Sequence, residues 1–306
     1  MSPLTLSRPL DRRNPLKQGT GGALTPIFFS DAFPNASVIL STRALSSDFA
    51  SSDLLTARRA SDNAELGFTA NKIKNGTLTA WTGAGDGLVV PWFDQSGSAR
   101  NFSQTTAANQ PAIVRSGVLQ TANGKPVMDF DGTNDTLRCP AASFITPTTL
   151  LQVSVVCKND SADTGNEYFF GQYEVVSDKR SWAMFVDVNE KLRVNFGDPS
   201  DGTFEGAWRS TAEISPVNLQ TLGFTFNGGT VVLYVNGVAV AGTLPSGTIP
   251  TSLYDSNVDA TIGSYLASNV PAEPWNGQIG EVYVADNLLD DIAEIQQAQM
   301  EAFGIT

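Results

Sequence analysis

From residue 38 onward the chain alternates short apolar runs with clusters of Gly, Asn, Asp, Ser and Pro. That rhythm predicts many short strands joined by turns. Val38–Leu40, Leu54–Ala57 and Leu88–Phe93 are the first strands, the third set between the glycine-rich turn 83–87 and the polar turn 94–97. Pro126–Phe130 runs into the polar segment 131–135, and Tyr168–Phe170 ends at Gly171. Leu150–Val156 is apolar without alternation, which predicts a strand covered on both faces. Trp182–Val188 and Leu192–Phe196 flank Asn189-Glu190-Lys191 and read as a hairpin. Leu222–Phe226 precedes the clearest hairpin: Thr230–Val235, then Asn236-Gly237, then Val238–Ala241. Asn-Gly supplies the two positive φ angles of a type I′ turn, whose twist matches the strands it joins. Ala260–Gly263 and Gly277–Val284 complete the strands. Over 288–303 the pattern becomes helical, with Asp290 and Asp291 suited to the N-terminus and Gly304 to the end. The expectation is an all-β fold, one antiparallel jelly-roll β-sandwich with a short C-terminal helix.

Residues 1–34 break this pattern and predict an extended arm. Pro3, Pro9, Pro15, Pro26 and Pro34 interrupt any helix, and Gly19-Thr20-Gly21-Gly22 is a flexible joint. The sandwich then occupies 35–306, with lead-in strands and loops over 35–125 and the main jelly roll over 126–285. Arg8, Arg12, Arg13 and Lys17 against Asp11 leave residues 1–22 at +3, so the remainder of the −12 chain carries −15. A basic arm on an acidic body suits docking onto an acidic neighbour; a solvated tail is the alternative. Phe28 and Phe29 favour docking, since two adjacent exposed rings are costly in a free tail.

Composition narrows the function classes. A net charge of −12 argues against general nucleic-acid binding and against adsorption to anionic membranes. No apolar run approaches the roughly 20 residues of a membrane span, and the first residues lack the apolar core of a secretory leader. Two cysteines, Cys139 and Cys157, predict reduced, packed thiols, with a bridge between neighbouring strands left open. The count of zero histidines excludes Ser-His-Asp and Cys-His sites and the His-based metal centres. Chemistry, if present, falls to carboxylates, Tyr, Lys or oxygen-ligated ions.

Five tryptophans could offer stacking platforms for sugar rings. Trp92 and Trp182 lie in apolar strands and predict core packing. Trp208 and Trp275, in turn-rich segments, are the surface candidates, together with Tyr265. Asp129, Asp131, Asn134 and Asp135 form the densest oxygen cluster, and such loops also satisfy themselves as Asx turns. Asp94 is expected to cap the amides of its own turn.

The run Trp92-Phe93-Asp94-Gln95-Ser96-Gly97, with Arg100-Asn101-Phe102, Asn109-Gln110-Pro111, Ser41-Thr42-Arg43-Ala44-Leu45 and Arg58-Arg59-Ala60-Ser61-Asp62-Asn63, resembles the fungal-type α-L-arabinofuranosidase B catalytic domain. That domain is a concanavalin-like β-sandwich, and a version of it occurs in phage virion proteins. The later strands, with Tyr234-Val235-Asn236-Gly237 and Ile262-Gly263, resemble a laminin-G-like jelly roll. The resemblance implies Glu190 as the match to the retaining nucleophile. It also implies an acid after Ile262-Gly263, where this chain has Ser264-Tyr265-Leu266-Ala267-Ser268. The vicinal cysteine pair of the enzymes is missing too. Laminin-G-like relatives often bind Ca²⁺, which makes Asp129, Asp131, Asn134 and Asp135 its candidate ligands; no other cofactor is implied. The reading favoured is a non-enzymatic virion protein, a head decoration, head fibre, tail or baseplate component contacting other virion proteins, trimer favoured. The alternatives are a lectin-like module for a cell-surface glycan and an active arabinofuranosidase.

Overall fold

The computed structural model describes residues 16–17, 25–26, 29–145, 149–160, 165–215, 217–287 and 289–306. Two antiparallel sheets pack face to face. The first runs across Val238–Val240, Thr230–Val235, Gln220–Asn227, Leu150–Asn159 and Asn276–Ala285. Asn276–Ala285 then pairs with Val38–Ser41 along one half and with Met128–Asp131 along the other. The second sheet runs across Gly242–Gly247, Phe204–Ser210, Leu192–Gly197, Lys179–Val186, Glu167–Glu174 and Ala260–Ile262 to Leu137–Cys139. Gly87–Trp92 belongs to both: Asp53–Arg59 pairs along one edge, and the other edge pairs first with Ala112–Arg115, which leads to the first sheet through Asp129, and then with Phe102–Ser103, which leads to the second through Arg138. The sandwich is therefore closed along that edge.

Apolar residues explain the layers. Leu150–Asn159 is buried almost throughout because its inner face meets the core and its outer face lies under the helix Ile292–Phe303. The core between the sheets holds Trp92, Trp182, Trp275, Phe170, Phe196 and Phe224. Burying one large apolar side chain contributes on the order of 1.5–3 kcal/mol. The helix begins where Asp291 accepts from the amides of Ala293 and Glu294 and ends at Gly304, whose φ is 62°. Asp290 instead accepts from the Tyr283 hydroxyl (2.6 Å) and from Asn35 Nδ2 (2.7 Å).

Several expectations need correcting. Phe29, assigned to the arm, opens the short helix Phe29–Ala32 and is buried with Phe33, Ile39, Leu45, Tyr283 and Ile295. The packed body therefore starts at or before residue 29, because that ring fills a space under Tyr283. Lys17 lies in the two-residue strand Leu16–Lys17, paired with Thr25–Pro26. Arg8, Arg12, Arg13 and Phe28 lie outside the described residues. The helices Ala70–Lys74 and Thr77–Thr82 and the strand Gly242–Gly247 were not expected, because they are short or solvent-facing and carry no period. Cys139 and Cys157 are free and buried, and burial pushes both thiols up, Cys139 to about 12.

Candidate functional site

The 94–101 turn is where the most recognisable residues meet. Asp94 accepts from the Ile39 and Ser96 amides through one oxygen and from the Arg100 amide and Ser96 hydroxyl through the other. Its own amide donates to Asn101 Oδ1 (2.9 Å). Gln95 donates to the Ser41 and Arg43 carbonyls and accepts from the Leu45 amide. Trp92 Nε1 donates to the Ser41 carbonyl, and Arg43 pairs with the buried Glu281. Arg58 is buried and reaches Gln110, Asn63 and the Ala107 carbonyl. Asp94, Gln95, Trp92 and Arg43 form a clamp that sews Val38–Ser41 onto the sandwich, while Arg58 ties its own strand to the 104–110 loop.

Glu190 sits at the tip of the hairpin between Lys179–Val186 and Leu192–Gly197, at φ 54°. Its carboxylate makes no hydrogen bond or ion pair among the described residues. The turn is organised by Asp187, which accepts from the Asn189 and Lys191 amides and pairs with Arg209 Nη1 at 3.2 Å. After Ile262-Gly263 comes Ser264, buried, with its hydroxyl donating to Thr136 Oγ1. A retaining glycosidase needs two carboxyl groups about 5–5.5 Å apart. Ser264, at the place where the resemblance implies the acid, provides no such partner for Glu190.

The oxygen cluster is also committed. Asp129 pairs with Arg115. Asp131 accepts from the Thr133 and Asn134 amides, and Asp135 accepts from the Asp131 amide at 3.0 Å. Among the described residues no three or more carboxylate, Cys or His side chains are placed to hold a metal ion. Asp129 thus spends its carboxylate on Arg115, and Asp131 and Asp135 spend theirs on the amides of the 131–135 turn. Burial and the nearby Asp131 charge raise Asp135 to about 7.

Of the stacking candidates, Trp275 is 0% exposed and packs on Phe169, so it presents no face to a sugar. Trp208 is half-buried in the strand Phe204–Ser210, facing the core against Gly242. Tyr265 remains half-exposed, its ring edge-on to Tyr168 at 4.6 Å.

Tyr168 leads to a feature that the linear sequence hides. In register, Tyr168 faces Phe185, Phe185 faces Arg193, Arg193 faces Arg209, and Arg209 faces Thr243. The core takes Trp182, Met184 and Val194, so this transverse row lies on the outer face of the second sheet. Tyr168 and Phe185 stack at 4.1 Å, and the Arg193 guanidinium lies 5.5 Å from the Phe185 ring centre. Tyr173, pushed up to about 12 by burial, and Arg180 flank the row. From Tyr168 to Arg209 the row crosses three strand spacings, about 14 Å. A groove of about 770 Å³ lies elsewhere, along 210–215, Val235-Asn236, Val240-Ala241 and the C-terminus. It has no aromatic lining, and Glu213 is its one charged side chain.

Residues 131–295, more than half of the chain, match the concanavalin A-like lectin/glucanases superfamily. The chain belongs to that superfamily. No curated protein matches it. Among solved structures, a GH54 α-L-arabinofuranosidase soaked with a cyclic sulfate inhibitor is similar at 15% identity and a TM-score of 0.58. The match covers 86% of this concanavalin A-like chain and 62% of the enzyme's, and it shows the shared fold. The CBM40 of a Ruminococcus gnavus sialidase bound to α2,3-sialyllactose matches 48% of the chain and 80% of its own at 13% identity. Its TM-score of 0.39 carries no argument about this chain. Among the described residues no helix is long and apolar enough to cross a membrane.

Proposed function

We propose that this chain is a non-enzymatic, lectin-like contact module of a tailed-phage virion, holding a saccharide on the outer face of its second sheet. The half-exposed Tyr265, Arg193 and Arg209 support the contact half; Tyr168 and Phe185 are buried and serve as the packed base that holds them in a row. Aromatic rings beside fixed hydrogen-bond donors are the chemistry of a sugar site. The non-enzymatic half rests on buried Ser264 occupying the place where the resemblance implies the acid. Loss of a general acid removes about 10²–10⁴-fold of rate. The virion half rests on the sequence: the version of the fold that the signature resembles, and a +3 arm on a −15 body. No other part of the reading depends on it.

Three measurements test this. A glycan array probed with the full chain is expected to return a defined set of saccharides, and a blank array removes the contact half. A chromogenic arabinofuranoside is expected to show no turnover above background, with Glu190→Gln indistinguishable from wild type; hydrolysis lost in Glu190→Gln overturns the non-enzymatic half. Deleting residues 1–22 is expected to abolish incorporation into virions, and normal incorporation without them removes the anchoring role.

A further inference from the structure

We infer that the saccharide is acidic, and that Arg193 and Arg209 together grip its carboxylate. This rests on the reading above that the outer face holds a saccharide.

Arg193 and Arg209 lie directly opposite each other on adjacent strands. Like charges in that position destabilise a sheet. The chain has 31 acidic residues against 19 basic ones, so carboxylates to neutralise the pair are plentiful. Even so, Asp187 is the one carboxylate that ion-pairs with either arginine among the described residues, and it also holds the hairpin amides of Asn189 and Lys191. Arg209 thus has a single carboxylate, whose other oxygen is taken by backbone amides, and Arg193 has none among the described residues.

The second observation is an orphan donor. Arg209 Nε is buried and has no acceptor. Leaving a buried donor unmade costs stability, and a charged one costs more. The third is orientation by neutral groups. Arg193 donates through Nε to Asn195 Oδ1 at 3.0 Å and lies over the Phe185 ring. Those contacts fix the plane of the guanidinium, and among the described residues its two terminal nitrogens meet no carboxylate. A planar, pre-oriented fork matches a carboxylate through two parallel hydrogen bonds. Burial raises Tyr168 and Tyr265, and Glu273 adds to it, so negative charge lies at the far, aromatic end of the row. The face is therefore polarised, cationic at Arg193 and Arg209 and aromatic to acidic at Tyr265. A sugar would enter with its carboxylate over the arginines and its apolar face toward Tyr265.

The test is titration calorimetry of the full chain with four probes: a hyaluronan tetrasaccharide and α2,3-sialyllactose as acidic sugars, lactose and arabinotriose as neutral ones. At least one acidic probe is expected to bind at least tenfold tighter than both neutral probes, and more weakly as salt rises. Arg193→Gln is expected to lower that affinity at least tenfold without lowering the melting temperature, while Lys74→Gln on the remote helix leaves it unchanged. Arg209→Gln is expected to act likewise. Should that variant unfold because Asp187 loses its partner, Arg193→Gln alone decides. Equal affinity for acidic and neutral probes, or full acidic affinity in a folded Arg193→Gln, overturns the carboxylate grip and leaves the saccharide reading standing. Binding of none of the four probes overturns the grip; a blank glycan array as well removes the saccharide reading with it.

Discussion

In the lead-in half of the chain, Asp94 accepts four hydrogen bonds at the 94–101 turn and buried Arg58 spends its guanidinium on three partners. On the outer face of the second sheet, of two facing guanidinium groups only that of Arg209 meets a carboxylate, Asp187, and the Arg209 Nε–H has no acceptor among the described residues. Both regions are rich in arginine and carboxylate, and they treat them oppositely. The first converts charge into rigidity by satisfying every group. The second keeps charge in hand at a cost to stability. Residues that make a family recognisable can thus be the ones that hold its fold, while the groups free to meet a ligand lie where no short motif marks them.

The contrast can be broken at either end. The largest effect is expected for Asp94→Ala, which orphans several amides at once and should cost about 4 kcal/mol in urea unfolding. A loss below about 1 kcal/mol would show that the turn is not a clamp. Next come two arginines compared directly. Arg58→Gln is expected to cost about 2–3 kcal/mol, because Gln110, Asn63 and Ala107 lose their donor. Arg193→Gln should cost nothing or gain a few tenths of a kcal/mol by removing like charges that face each other. Equal losses at both positions would erase the distinction.

A third variant sharpens the satisfied side. Asn236 has φ 49° and Gly237 φ 75°, as a type I′ turn requires, and Asn236 Oδ1 also accepts from the Thr221 amide at 2.9 Å. Glycine would suit the turn but not that bond, so Asn236→Gly is expected to lower stability by about 1 kcal/mol in thermal melts. Asn236→Pro cannot adopt the positive φ and should cost at least about 3 kcal/mol.

A further effect stands outside this ranking because it depends on pH. Asp135, raised to about 7 from 3.8, favours its protonated form in the folded state. Below pH 3.8 both states are protonated and its contribution is intact. As pH rises toward about 7 the unfolded chain ionises first, and stability falls. Asp135→Asn keeps an acceptor for the Asp131 amide and lacks that loss. The melting-temperature difference is expected to shift in the variant's favour between pH 4 and 7 and to level off above. A constant difference would place Asp135 in a solvated setting.

Much of the fold was legible because it depends on local pattern. The Asn236-Gly237 turn, the doubly covered Leu150–Asn159 strand and the Ile292–Phe303 helix each carry their own signal in period, turn chemistry or caps. Trp208 and Trp275 were misread because glycine and proline neighbours imitate a loop. In the fold, Trp208 belongs to a strand and Trp275 is sealed under Phe169. The site was mostly illegible. Tyr265 was visible, but Arg193 looked like an ordinary polar position in a hairpin.

By itself, the sequence determined the fold class, the absence of histidine chemistry, and which runs become strands, because period, composition and turn residues act over a few neighbours. Only the tertiary structure decided what those strands do together. Tyr168, Phe185, Arg193 and Arg209 come from four strands and become a row only through register. Strand register follows from core packing on the opposite face, where Trp182, Met184 and Val194 must interlock. A shift of one residue would turn every member of the row inward, so a surface for recognition is set by the side of the sheet that never meets solvent.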